Sequence, residues 1–218
     1  VTAPRTLVLL RHGRTAWNAE GRAQGQLDVG LDEVGHAQAA AVAPAIAALR
    51  PDVLWSSDLT RAATTAAAVA EATGLEVRHD ARLREYDVGA RAGLTIPEFA
   101  AAHPAEHAAW TAAGGSFENA DAVPGAESTD DVLRRILPAL TEALGSVAPG
   151  GTACVVSHGA ALKAATVALL GWDRATATSL RGLDNCGHSV LADAGRGAPL
   201  RLVAWNRTPD FAPCTPVG

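Results

Sequence analysis

Aromatic residues make up 4% of the 218-residue chain against 48% hydrophobic residues in all, so its core must be assembled chiefly from Ala, Val and Leu. Alanine-rich helices are the expected result. Cysteine is scarce too. Cys154, Cys186 and Cys214 are widely spaced, form no C-x-x-C pair and leave an odd count, which reads as reduced thiols rather than a disulfide framework. Positive charge is not in excess: a formal net charge of −5 and a pI near 5.8 argue against nucleic acid as a partner, because such binders present a basic face. Any anion must then meet cations concentrated locally. No apolar run approaches the ~20 residues that span a bilayer, and the opening VTAPRT lacks the cationic start and long apolar middle of a signal peptide. The expectation is a soluble, cytoplasmic protein with no membrane partner. Walker-type glycines are also missing, so a bound nucleotide has no support.

What is present is an alternation. Short apolar runs at Thr6–Arg11, Val53–Ser56, Glu76–His79, Ala153–Ser157, Ser189–Ala192 and Leu200–Ala204 read as strands. Longer alanine-rich segments at Asp32–Leu49, Leu59–Thr73, Asp130–Leu144 and Ala160–Leu170 read as helices, with Gly74 and Gly171 where C-caps belong. Such alternation predicts an α/β fold: a three-layer sandwich with a mostly parallel six-stranded sheet and helices on both faces. The length fits a single domain over residues 1–218. From about 90 to 127 the pattern breaks into an Ala-, Gly- and Pro-rich excursion with two short helical pieces, read as a lid. Ser128 with Asp131 resembles a capping box that restarts regular structure. The C-terminal TPDFAPCTPVG reads as a frayed tail.

Four stretches carry reactive or cationic groups past predicted strands: LVLLRHGRTAWN with Arg11 and His12, SSDLTRAATTA with Arg61, RLREYDVG with Glu85, and VVSHGA with His158. In a parallel sheet the carboxyl ends of the strands share one edge, where ligands bind, so these distant residues can converge. The set suits phosphoryl transfer. Guanidiniums make forked hydrogen bonds to equatorial phosphoryl oxygens, a neutral imidazole held in one tautomer can attack phosphorus, and a protonated carboxyl can donate to a departing alkoxide. Backbone N–H groups of the helix after Ser57-Asp58 are expected to add anion binding.

Taken in order, LRHGRTAWN, SSDLTRAATTA, RLREYDVG and VSHG resemble the histidine phosphatase superfamily, in the branch that holds cofactor-dependent phosphoglycerate mutases and related phosphatases. The resemblance runs down to Trp205-Asn206 and implies a phosphoglycerate mutase-like fold. It implies that His12 becomes a phosphohistidine, that Arg11, Arg61 and His158 complete the phosphate pocket, and that Glu85 is the proton donor. It also implies that Asn18, Gln24 and Gly159 touch phosphate or substrate, with no cofactor and no metal. Among its phosphatases, the AQGQLD, RLREYDVG and GLT stretches, Trp110 and the AES ending in Ser128 are most similar to an actinobacterial group acting on glucosyl-3-phosphoglycerate. Ala90-Arg91-Ala92 departs from relatives, which often carry an aromatic and an acidic residue there, and Ala126 replaces a usual glycine.

A mutase retains a bisphosphate and needs a basic lid. Between Tyr86 and Ser157 the chain has only Arg91, Arg134 and Arg135 against nine carboxylates. The expected activity is therefore hydrolysis of a small phosphorylated metabolite, such as a phosphoglycerate or sugar phosphate derivative. Phosphoglycerate mutase is the alternative, and a non-catalytic phosphate-ligand binding protein is the reading from another class. Simpler roles compete locally. Asp87 rivals Glu85, and either could pair with Arg82 or Arg84 on the surface. Asn18 and Gln24 fit a structural loop role equally well. His103 and His107 have metal-ligand spacing without a third ligand and read as a solvated helix face, and His36, His79 and His188 carry no motif. Ser157-His158-Gly159 is not a serine-hydrolase elbow, because that turn needs glycine at Val155. No interface stripe stands out, so a homo-oligomer stays open.

Overall fold

Leu7, Val8, Leu9 and Leu10 are each at most 1% exposed. A strand is buried this completely when it has neighbours along both edges and helices over both faces, and β1 (Thr6–Arg11) has both. The computed structural model describes residues 3–116, 122–193 and 199–209. After β1 come α1 (Ala16–Glu20), α2 (Glu33–Ala48), β2 (Val53–Ser56), α3 (Thr60–Thr73) and β3 (Val77–His79). The chain continues through α4 (Ile96–Ala102), α5 (Pro104–Ala112), α6 (Thr129–Gly145), β4 (Thr152–Ser157) and α7 (Gly159–Leu169). It ends with α8 (Arg174–Ala177), β5 (His188–Ala192) and β6 (Arg201–Arg207).

The six strands form one sheet in the order β3-β2-β4-β1-β5-β6. Parallel pairs join β1 to β4, β4 to β2 and β2 to β3, whereas β5 runs antiparallel to both β1 and β6. Side chains alternate between two cores. Leu7 and Leu9 of β1 and Val155 of β4 face one way, against Ile136 and Leu140 of α6 and Leu162 of α7. Val8, Leu10 and Val156 face the other way, against Val42 and Ile46 of α2 and Val69 of α3. Helices therefore cover both faces, and the three-layer sandwich expected from the sequence is what forms.

The strand and helix bounds agree with the sequence reading to within one residue in most cases. β6 is the exception: it begins at Arg201 and runs on to Arg207. Ser128 caps α6 as foreseen, its hydroxyl accepting from the Asp131 N–H while the Asp131 carboxylate accepts from the Ser128 N–H, both at 3.1 Å. In the 90–127 excursion α4 and α5 are the two short helices, and Phe99, Trp110 and Val123 form a small core of their own beneath them. Residues 117–121, and the tail from 210 on with Cys214, lie outside the described residues. Cys154 and Cys186 are buried free thiols.

One contact fixes the start of the functional region. A Cβ added to Gly13 would lie 2.5 Å from the Gly35 carbonyl oxygen, and one added to Gly35 would lie 1.9 Å from that of Arg14. Only glycine allows the N-terminal turn of α2 to touch the backbone after β1 this closely. The Gly13 N–H donates to Thr65 Oγ1 of α3 at 3.0 Å, and the Arg14 N–H to Gln38 Oε1 of α2 at 2.8 Å.

Candidate active site

Arg11 closes β1 and His12 follows it; Ser157 closes β4 and His158 follows as the N-cap of α7. Because β1 and β4 are parallel with Arg11 opposite Ser157, the two histidines leave the sheet side by side, ring centroids 5.2 Å apart. Arg61 arrives on the first turn of α3, and Glu85 after a 3-10 turn at Ala81–Leu83.

His12 is 3% exposed, and its Nδ1 lies 2.7 Å from the Gly13 carbonyl oxygen. A carbonyl only accepts, so Nδ1 carries the proton and Nε2 keeps its lone pair. Burial pushes the His12 pKa well below the ordinary histidine value, and the Arg11 and Arg61 guanidiniums push the same way. His158 is lowered for the same first reason and by the same guanidiniums, with Nε2 2.8 Å from Ser57 Oγ. Both rings are thus neutral near pH 7.

The guanidiniums are held from behind. Arg11 Nη1 donates to the Leu183 carbonyl at 2.5 Å; Arg61 Nη1 and Nη2 donate to the carbonyls of Leu27 at 2.8 Å and Gly25 at 2.6 Å. Burial lowers the Arg61 pKa to about 10, opposed by Glu85 and Asp28, and lowers that of Arg11, opposed by Glu85 and Asp184. Arg11 Nε, Arg61 Nε and His158 Nδ1 are buried without a hydrogen-bond partner among the described residues. Buried donors without a partner cost about 1–3 kcal/mol each, so an oxyanion between the two cavity-lining guanidiniums of Arg11 and Arg61 is favoured.

Glu85 is 8% exposed and sits on the N-terminus of α7: Oε1 accepts from the Ala161 N–H at 2.8 Å and Oε2 from the Ala160 N–H at 3.1 Å. Its neighbour Tyr86 adds a third N–H at 3.0 Å. Asp87 instead accepts from the Gly89 N–H at 2.9 Å and does not line the cavity. Arg82 pairs with Asp80 and Glu142, and Arg84 with Asp58, so neither takes Glu85 as an ion-pair partner. The expectation for the helix after Ser57-Asp58 is corrected here. The Thr60 N–H and hydroxyl at the start of α3 both donate to the Asp28 carboxylate at 2.7 Å, so that terminus is already occupied. The helix N-terminus at the site is that of α7.

These groups line a cavity of about 460 Å³, bordered by Arg11, His12, Arg61 and Glu85 as well as by Asn18, Gln24 and Gly159. His158 stands behind this wall rather than in it. Asn18 does two jobs: its side-chain oxygen accepts from the Thr15 N–H at 3.1 Å and from Asn185 Nδ2 at 3.3 Å, capping α1, while the residue borders the cavity. Gln24 is 8% exposed, and its Oε1 is buried with no partner among the described residues. Gly159 lets Arg11 lie on its backbone, for a Cβ there would be 3.2 Å from Arg11 Nε. His103 and His107 pack around Phe99, with ring centroids 5.7 and 5.8 Å away.

Sequence reasoning missed the 183–187 loop. Besides the Leu183 carbonyl, it supplies the Asn185 Nδ2 and Cys186 N–H donors to the His12 carbonyl at 3.1 and 3.2 Å, and the Gly187 carbonyl that accepts from the Arg11 N–H at 3.0 Å. Asn206 of β6 latches this loop through Asp184, accepting from its N–H at 2.8 Å and donating to its carboxylate at 2.9 Å. Most of these contacts are made by backbone atoms, which carry no residue-type signal. Lys163, the only lysine, also borders the cavity, and its i, i+4 spacing from Gly159 was a signal available beforehand.

Neutral buried histidines make stability depend on acid. Unfolded histidine titrates near pH 6.5, so as pH falls below that value the unfolded chain takes up protons that folded His12 and His158 refuse. Stability should drop by about 2–3 kcal/mol between pH 7.5 and 5.5, above the range where carboxylates titrate. Urea unfolding midpoints across that interval check this; a flat line would mean that the rings take up protons as readily in the fold as in the unfolded chain.

Comparisons with known proteins agree with this geometry. The chain is 38% identical to glucosyl-3-phosphoglycerate phosphatase of Mycobacterium tuberculosis, with 93% of this chain and 94% of that protein aligned. It is 35% identical to phosphoserine phosphatase 1 of Hydrogenobacter thermophilus over 85% of each. A solved mycobacterial glucosyl-3-phosphoglycerate phosphatase complexed with VO3 superposes with a TM-score of 0.81 at 36% identity, covering 94% of this chain and all of that one. Residues 7–208 match the description "Histidine phosphatase superfamily (branch 1)", and the chain belongs to that family.

Proposed function

We propose that the protein is a metal-independent phosphomonoesterase that hydrolyses a small phosphorylated metabolite through a phosphohistidine. The observation that carries this reading is His12, neutral, held in one tautomer by the Gly13 carbonyl and flanked by two buried guanidiniums. Arg11 and Arg61 hold the phosphoryl oxygens, backed by His158, whose ring lies 5.2 Å from that of His12 behind the cavity wall. The His12 Nε2 lone pair forms a bond to phosphorus as the bond to the leaving oxygen breaks, and Glu85, as general acid, gives a proton to that oxygen. Water then attacks the phosphohistidine, Glu85 takes a proton from it, and phosphate leaves with His12 neutral again. Asn18, Gln24 and Gly159 line the same cavity and would position substrate.

Hydrolysis is favoured over mutase chemistry by what the excursion contributes. Arg135 is spent on Glu127 and on the carbonyls of Arg82, Arg84 and Glu85, and Arg134 on Asp131. Of the three basic residues between Tyr86 and Ser157, Arg91 alone borders the cavity. We read the chain as one domain whose 90–127 segment is the lid, a reading supported by the cavity-lining positions of Arg91, Ile96 and Ser116.

The test is phosphate release, with EDTA present, from a panel of glucosyl-3-phosphoglycerate, 3-phosphoglycerate, sugar phosphates and p-nitrophenyl phosphate. A parallel assay follows 2-phosphoglycerate formation. The expected result is release from one compound well above the rest. Phosphoglycerate interconversion without net release would make the protein a mutase, and stoichiometric binding without release would make it a binding protein.

A further inference from the structure

Glu85 rides on a loop: past the 3-10 turn at Ala81–Leu83 the chain enters no strand or α-helix until α4 begins at Ile96. A loop can aim a proton donor only if something else fixes its backbone. Four successive carbonyls, those of Arg82, Leu83, Arg84 and Glu85, all accept from side chains. The Leu83 carbonyl takes the Ser157 hydroxyl at 2.7 Å, and the other three take Arg135, at 2.9, 2.6 and 2.8 Å in that order. Gln26 Nε2 adds a longer bond to the Glu85 carbonyl at 3.3 Å.

Arg135 stands on α6, next to Ile136, which is buried in the core, so its base is anchored by packing. Its five N–H donors are all used. Nη1 takes the Arg82 and Arg84 carbonyls, Nη2 the Glu85 carbonyl and Glu127 Oε2, and Nε takes Glu127 Oε1, with both Glu127 bonds at 2.8 Å. Glu127 reaches the loop as well: its carboxylate accepts from the Asp87 N–H at 2.8 Å, and its own N–H donates to the Asp87 carbonyl at 2.9 Å. Burial pushes the Glu127 pKa up, but Arg135, the Asp87 N–H and Gln26 outweigh it and hold the group below its ordinary value, so the pair is ionic near pH 7. The pair thus grips the loop on both sides of Glu85. These bonds go to backbone, while the Glu85 carboxylate takes its own from the Tyr86, Ala160 and Ala161 N–H groups. A planar guanidinium fork can span three carbonyls and a carboxylate, and the compact ammonium of a lysine cannot.

We propose that Arg135, clamped by Glu127, is a positioning residue that aims Glu85 at the leaving oxygen by holding the backbone of its loop. This rests on the reading of Glu85 as the general acid, and the experiment separates the two. Benzyl phosphate releases an alkoxide that must take a proton, whereas p-nitrophenyl phosphate releases a stable anion that need not. The quantity compared is kcat/KM, which covers the steps through departure of the leaving group and not the later attack of water. Glu85→Gln should cost at least about 10²-fold with benzyl phosphate and under about tenfold with p-nitrophenyl phosphate. Arg135→Lys is expected to show the same selectivity at smaller size, about 30-fold against about threefold. Added to Glu85→Gln it should cost no more than about twofold further, since no acid is left to aim. Glu127→Gln leaves the guanidinium in place and loosens its anchor; it should also slow benzyl phosphate selectively, and it carries the test if Arg135→Lys folds poorly. If Glu85→Gln discriminates between the substrates while the Arg135 and Glu127 variants lower both equally, the pair only supports the fold and the inference is overturned. If Glu85→Gln itself lowers both equally, the acid has been misassigned, and the inference falls with that reading.

Discussion

His12→Ala is expected to reduce phosphate release by at least about 10⁴-fold, because no second imidazole lines the cavity among the described residues. The other imidazole is close, at 5.2 Å between ring centroids, but His158 is fully buried behind the cavity wall with Nε2 beside Ser57 Oγ. The substitution leaves the backbone bonds that frame the position, from the His12 N–H to the Ser157 carbonyl and from the Cys186 N–H to the His12 carbonyl. The fold should survive, and circular dichroism would show it. Two measurements decide the matter: steady-state release from p-nitrophenyl phosphate, and acid-labile, base-stable radiolabel retained after a quench, which should appear in the unaltered protein and vanish in the variant. Activity within tenfold of the original would remove His12 from the mechanism.

Glu85→Gln is the second large effect, a loss of about 10²–10⁴-fold in kcat from removal of proton transfer. The structure adds a cost beyond rate. Both carboxylate oxygens accept N–H bonds, from Tyr86 and Ala161 on one and Ala160 on the other, and an amide replaces one acceptor with a donor. One N–H of α7 would then face another donor, costing about 1–3 kcal/mol of stability. Rate and thermal midpoint should therefore fall together, with binding of inorganic phosphate largely kept. Asp87→Asn is the comparison. Asp87 accepts one N–H in its own turn and lies off the cavity, so its replacement should slow turnover far less. If the Asp87 variant is the slower of the two, the acid has been misassigned.

The alternation of short apolar and long alanine-rich segments was sufficient for the layers, because β1 and β4 are buried on both faces and keep polar residues only at their ends. β6 was misjudged by its end. It is an edge strand paired only with β5, and its polar residues from Asn206 to Arg207 give no apolar signal that pairing continues. At the site, side chains that point into the cavity were readable from their types and order. Those that act on backbone were not: nothing in Leu183 or Gly25 announces a carbonyl turned toward a guanidinium. Asp28 was missed for a different reason. It caps α3 from 32 positions away, and capping read from sequence looks only one turn back.

The Gly13–Gly35 contact divides the chain into a part that can drift and a part that cannot. At both positions the obstacle is main chain, which no compensating side-chain change can move aside, so any other residue pries α2 from the loop that aims His12. A lineage exploring new leaving groups is free to exchange side chains elsewhere in the cavity wall, while the nucleophile's cradle stays frozen. Diversity of substrate with constancy of reaction is then a steric outcome, written into two hydrogen atoms where side chains would otherwise be.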